Sequence, residues 1–180
     1  MKLAPGLELP IEAVTETIAI LGRRGSGKTY TGAKLAEEMP SAGQQVIIID
    51  PLDVWYGLRS DAKGTGEAHS IAIFGGRHGD IDLGEKQAEQ LADAILETGT
   101  SAILSLRHLS KAASRRFVGV FCDRLYHRKG EDRFREPLHL IIDEADASVP
   151  QQPRTAGVRA HGALDPSVRR GRPSGLGTTL

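Results

Sequence analysis

The sequence predicts an α/β fold: a mostly parallel sheet with helices on both faces, built around a phosphate-binding loop. Three observations carry this. Residues 22–29 read Gly-Arg-Arg-Gly-Ser-Gly-Lys-Thr, a full G-x-x-x-x-G-K-[ST] motif. The motif sits between an apolar run, Ile18-Ala19-Ile20-Leu21, and a helical pattern from Tyr30 to Met39, the strand–loop–helix context such a loop requires. Near-continuous apolar runs recur at Val46-Ile47-Ile48-Ile49 and Leu138-His139-Leu140-Ile141-Ile142, the pattern of strands covered on both faces. Helical stripes fall between the runs, and alternating strand and helix is the signature of a parallel sheet layered with helices.

Element by element, residues 1–16 read as a lead-in whose Pro and Gly content argues against a separate folded unit. Residues 17–180 read as one P-loop core. Strands are expected at 17–21, 46–50, 102–106, 138–142 and 176–180, with Ile71-Ala72-Ile73-Phe74 as an edge or inserted strand. A helix over 85–97 places Ala88, Leu91, Ala92 and Ile95 on one stripe, with Gly99 as its stop signal. A second, over 110–128, aligns Phe117, Val120, Phe121 and Leu125, with Ser110 as candidate N-cap and Gly130 as candidate C-cap. Loops are expected at 57–70, 75–84 and 148–175, the last long enough to suggest function or disorder.

Composition narrows the class. A chain of 180 residues with 39% hydrophobic and 26% charged residues is ordinary for one soluble globular domain. No stretch approaches the roughly 18 apolar residues of a membrane span. The N-terminus lacks the apolar segment of a signal peptide, so a cytoplasmic protein is expected. Cys122 is the one cysteine, which excludes an internal disulfide, points to a reducing compartment and reads as a core residue. The net charge is zero, yet residues 151–180 carry Arg154, Arg159, Arg169, Arg170 and Arg172 against Asp165 alone. A basic end on a slightly acidic body suggests phosphate contact, from nucleotide or nucleic acid, or a solvated tail.

The chemistry follows from residue types. Glycines let the backbone curl so that successive N–H groups face an anion, and the following helix adds the positive end of its dipole. Gly22, Arg24, Gly25, Ser26, Gly27, Lys28, Thr29 and Tyr30 are therefore the expected nucleotide contacts. Lys28 is expected to reach the β- and γ-phosphates, and the Thr29 hydroxyl to hold Mg²⁺. An apolar strand running into Asp143-Glu144 is a Walker B element. Asp143 is expected to bind Mg²⁺ and Glu144 to activate water as general base. Asp50, ending another strand, can touch the Mg²⁺ shell or cap the turn. Trp55 and Tyr56 can stack on a base or pack under a loop, and His78 lacks a second ligand at metal spacing. Arg172, then Arg170, can act on a neighbouring subunit's γ-phosphate, or belong to a basic loop that binds DNA.

Together these residues resemble the HerA–FtsK class of P-loop ATPases, and within it the HerA-like helicases and translocases. The resemblance rests on Ile20 to Tyr30, Ile49-Asp50-Pro51 with Trp55, Phe74 to Asp80 (Phe-Gly-Gly-Arg-His-Gly-Asp), Ile141 to Ala145, and Gly171 to Gly177. It implies a RecA-like core in which strand 176–180 inserts between the Walker A and Walker B strands. It also implies a hexameric ring that hydrolyses ATP between subunits and pumps double-stranded DNA, often with a nuclease partner. Two departures stand out. The family continues its last strand into a Gln that senses the γ-phosphate, whereas this sequence stops at Thr178-Thr179-Leu180; the N-terminal β-barrel of full HerA proteins is absent as well. The chain therefore reads as a truncated core, incomplete at its C-terminus. A nucleotide-dependent binding switch with little turnover is the alternative function, and a small-metabolite kinase a weaker one.

Overall fold

The computed structural model describes the chain except residues 24, 61–65, 67 and 146–171, and the side chain of Arg172. A three-residue and a two-residue strand, β1 (Lys2–Ala4) and β2 (Leu7–Glu8), open the chain as an antiparallel pair. The core then runs β3 (Thr17–Ile18), α1 (Lys28–Ser41), β4 (Gln45–Asp50), β5 (Ile71–Phe74), α2 (Ala88–Thr98), β6 (Ser101–Ser105), α3 (Lys111–Lys129), β7 (Leu138–Ile142) and β8 (Leu176–Thr179). Its six strands form one sheet in the order β3-β8-β7-β4-β6-β5, and every pairing in it is parallel. This is the expected α/β layering of a P-loop NTPase. The last strand, β8, lies between β3, which leads into the glycine-rich loop, and β7, which ends at Asp143, as the resemblance implied.

Period-two alternation divides the central strands between two cores. Ile47, Ile49, Leu104, Leu138 and Leu140 face α2 and α3, where Leu91, Ile95, Phe117 and Phe121 meet them. Val46, Ile48, Ile103 and Ile141 face the other way, against Leu35 and Met39 of α1. Each of these large side chains, removed from water, contributes about 1.5–3 kcal/mol. The three expected helix-end residues on the first face are in place, Gly130 as the C-cap of α3. The Ser110 hydroxyl accepts the Ala113 N–H at 3.2 Å to start α3, and Gly99 ends α2 in the left-handed conformation at φ +64°.

One element differs from expectation. The apolar run 17–21 forms strand only over Thr17–Ile18, although the Ile20 N–H still reaches the Leu180 carbonyl at 3.0 Å. Leu21 is 89% exposed. The run lies on the outer edge of the sheet, where only one neighbour, β8, completes its hydrogen bonds, so apolar composition does not bury it.

The lead-in packs on the α1 face. Val14 is buried there, and Met1, Leu3 and Leu9 rest against the same core. The Lys2 backbone N–H donates to Glu38 of α1 at 2.8 Å. That bond and the Lys34 side chain hold the Glu38 carboxyl below its ordinary range. Val14 also reaches the sheet centre. The imidazole of His139, on β7, lies between the Val14 carbonyl oxygen (Nδ1, 2.7 Å) and the Thr179 hydroxyl (Nε2, 2.7 Å). A carbonyl can only accept, so Nδ1 carries the proton and Nε2 accepts from Thr179. Gly177 permits this approach, because a Cβ there would stand 2.0 Å from the Val14 oxygen.

Burial pushes the His139 pKa down to about 4, against the opposing pull of the Val14 carbonyl. The folded protein therefore holds the ring neutral, while the unfolded chain protonates it near pH 6.5. The stability this confers is complete above pH 6.5 and is lost as pH falls toward 4, by about 3 kcal/mol in total. The thermal midpoint is expected to fall across that window, with the His139 ring resonances unmoved above pH 5. A His139 ring that titrates near pH 6.5 in the folded protein overturns this.

Candidate nucleotide-binding site

The glycine-rich loop leaves β3 and enters α1 through Gly27, which takes φ +90° as the helix N-cap. A side chain there would be strained. The first amides of a helix have no partner within it, so α1 opens with N–H groups of Lys28, Thr29 and Tyr30 aimed beyond its N-terminus. The Lys28 ammonium folds back to donate to the Gly22 carbonyl at 3.1 Å. Tyr30 is 78% exposed.

Across the sheet, β7 delivers Asp143 and Glu144 to the same end. A cavity of about 770 Å³ is walled by Gly25, Gly27, Lys28, Thr29 and Tyr30 on one side and by Asp143 and Glu144 on the other, with Trp55, Thr179 and Leu180 closing it. Residues more than a hundred positions apart thus meet at the carboxyl ends of the strands, where α/β sheets place ligands. Gly22 and Ser26, of the same loop, are not among the residues that line the cavity; a Cβ on Gly22 would sit 2.4 Å from the Ser26 hydroxyl. Arg24 lies outside the described residues, as do Arg154, Arg159, Arg169 and Arg170. The backbone of Arg172 opens a short 3₁₀ turn, Arg172–Ser174, before β8.

Asp50 takes the turn role. Its carboxylate is fully buried and accepts four backbone N–H groups: Leu52 at 3.0 Å and Asp53 at 2.8 Å on Oδ1, Val54 at 2.8 Å and Trp55 at 2.9 Å on Oδ2. Burial pushes its pKa up while these donors pull it down, and burial prevails. The turn sets Trp55 under the loop, 4% exposed, with its indole N–H donating to Asp143 Oδ2 at 2.8 Å. Asp143 Oδ1 accepts the Glu144 N–H at 3.0 Å. Glu144 itself is exposed at φ +49°, a left-handed conformation uncommon outside glycine.

The Gly-Gly-Arg-His-Gly-Asp loop is pinned beside this turn. His78 stacks on Tyr56 with ring centroids 3.7 Å apart. Asp53, also left-handed at φ +63°, accepts the Ser105 hydroxyl at 2.8 Å and the Arg77 N–H at 3.0 Å. Burial raises its pKa, but these two donors, helped by nearby His78 and His108, bring it below the ordinary value. The Ile73 N–H and the Arg59 guanidinium do the same for Asp80. Among the described residues, no three His, Cys, Asp or Glu side chains gather as a metal site, and no helix is long and apolar enough to cross a membrane. The cavity wall does supply a hydroxyl from the phosphate-loop side, Thr29, and a carboxylate facing it from the end of β7, Asp143. Mg²⁺ takes such a sparse, all-oxygen set when phosphates and water complete its shell, so the donors fit that ion.

Residues 5–73 match the family model of the helicase HerA central domain. The match runs from the lead-in through the glycine-rich loop and α1 to β5. No curated protein matches the chain. The HerA match stops well before Asp143, so the second wall of the cavity rests on the fold and not on the match. Three site features escaped the sequence: the Trp55–Asp143 hydrogen bond, the Tyr56–His78 stack and the left-handed Asp53. The Trp and Asp that share a hydrogen bond are 88 residues apart, a distance at which no local pattern signals a contact.

Proposed function

We propose that the chain is the ATP-binding and ATP-hydrolysing motor domain of a HerA-like DNA translocase. The observation that carries this is the single cavity joining the phosphate loop to Asp143 and Glu144, in a chain that matches the HerA central domain. In this reading the loop amides and Lys28 hold the phosphates. Thr29 and Asp143 hold Mg²⁺, which neutralises phosphate charge when bound. Tyr30 offers an exposed ring to the nucleotide's base. Glu144, exposed at the cavity rim, takes the proton of the attacking water. Arg172, ahead of Arg170, supplies a cation to the γ-phosphate held by a neighbouring subunit of a hexameric ring, and double-stranded DNA is the track.

The test is phosphate release measured with Mg²⁺, with and without duplex DNA. Turnover that rises with DNA supports the motor; tight nucleotide binding with no turnover supports a binding switch instead. Lys28→Ala removes the ammonium from the phosphate site. It is expected to weaken ATP affinity at least tenfold, about 1.4 kcal/mol, while thermal stability stays within about 0.5 kcal/mol because the side chain is exposed. Unchanged affinity in isothermal titration would remove Lys28 from the site.

A further inference from the structure

We infer that Trp55 is a positioning residue for the Asp143 carboxylate, and through it for the cation side of the site; this rests on the Mg²⁺–ATP reading above. An indole has one donor and no acceptor. When buried, it generally finds a partner. Here the partner is a carboxylate that ends a different strand and faces the cavity. Because Glu144 N–H holds the other oxygen, both ends of the carboxylate are fixed and its rotamer is set. Each oxygen keeps a further lone pair, so the anchoring leaves it able to accept a cation's water.

The ring's other contact gives the arrangement its reach. A Cβ on Gly32 would lie 3.1 Å from the distal corner of the indole. Gly32 stands one turn after Lys28 on α1. The indole therefore spans from the helix that carries Lys28 and Thr29 to the strand that carries Asp143. Trp55 is itself held through its backbone N–H by the buried Asp50 carboxylate. A rigid chain thus runs from Asp50 through Trp55 to Asp143, with α1 resting on its side. A tryptophan that only filled space would leave the cation response of the site untouched when its N–H is removed.

Trp55→Phe keeps a ring and deletes the donor. Affinity for a fluorescent ATP analogue is measured in EDTA and in Mg²⁺, beside the urea midpoint of the same protein. The EDTA affinity is expected to stay within about twofold, while the Mg²⁺-dependent gain falls by about tenfold or more, the size of loss typical when a partner that orients a metal ligand is removed. Adding Trp55→Phe to Asp143→Asn is expected to cost little beyond Asp143→Asn alone. A folded Trp55→Phe protein with the wild-type Mg²⁺ gain overturns the inference alone. Wild-type protein with no Mg²⁺ gain overturns the site reading and the inference together. Should Trp55→Phe not fold, the wild-type emission decides. Trp55 is the one tryptophan of the sequence, so its fluorescence is expected to shift when Mg²⁺ is added to nucleotide-loaded protein, and not to shift in Asp143→Asn. No Mg²⁺-dependent shift in the wild type overturns the inference.

Discussion

Asp50→Ala is expected to lower stability by about 4 kcal/mol, among the largest single-residue losses in this fold. The carboxylate is fully buried and serves four amides, from Leu52 through Trp55. Alanine leaves all four without that acceptor at a site water does not reach. An unpaired buried N–H costs about 1–3 kcal/mol, and relaxation of the turn recovers part of the total. The damage spreads because the turn carries Trp55, whose ring belongs to the α1-side core. Against a domain stability of roughly 5–15 kcal/mol, the variant is expected to melt about 10 °C lower or more. Asp50→Asn is expected to fall between the two. Its one carbonyl oxygen can serve one pair of amides, while its NH₂ faces the other pair donor to donor. Urea unfolding followed by circular dichroism checks both, and a loss under about 1 kcal/mol for the alanine variant would contradict the account.

The sequence made the central sheet legible because its signal is local. In β4 and β7 each apolar run is long enough to form a buried strand by itself, and its length and flanking residues separate it from a helix. The stripes of α2 and α3 were equally local, down to the Ser110 cap and the Gly99 stop. The phosphate loop is a contiguous motif, and Asp143-Glu144 is a contiguous pair on the strand end. The misread element, β3, failed on a tertiary fact: the run 17–21 looks like a core strand, yet it occupies the sheet's outer edge. Composition cannot report how many neighbours a strand will have. The lead-in was illegible for a related reason, since strands of two and three residues hold no period. His139 did leave a trace, a lone polar residue inside an apolar run. Its partners, Val14 and Thr179, lie 125 and 40 positions away, beyond any spacing rule. The position of β8 between β3 and β7 came from family resemblance, not from periodicity.

Glu144→Gln is expected to cut turnover by about 10²–10⁴-fold, the usual contribution of a positioned general base. Nucleotide affinity is expected to stay within about twofold, because the amide matches the carboxylate in size and the proposed phosphate contacts, on the glycine-rich loop, line the opposite wall. Backbone conformation adds an independent line. Glu144 sits at φ +49° while exposed to solvent, and a non-glycine residue held there costs about 1–2 kcal/mol. Glutamine bears the same cost as glutamate, so the Gln variant is expected to match the wild-type melting temperature. Glycine is free of it, so Glu144→Gly is expected to be more stable by about 1 kcal/mol yet as poor in turnover as the Gln variant. Stability and activity then move in opposite directions at one residue. A side chain kept only to shape the turn would show the reverse, with the glycine variant as active as the wild type. Phosphate release under saturating Mg²⁺–ATP, read beside thermal melts of both variants, separates the two. Turnover above roughly a tenth of wild type in Glu144→Gln excludes Glu144 as the base and leaves the phosphate loop's binding role intact.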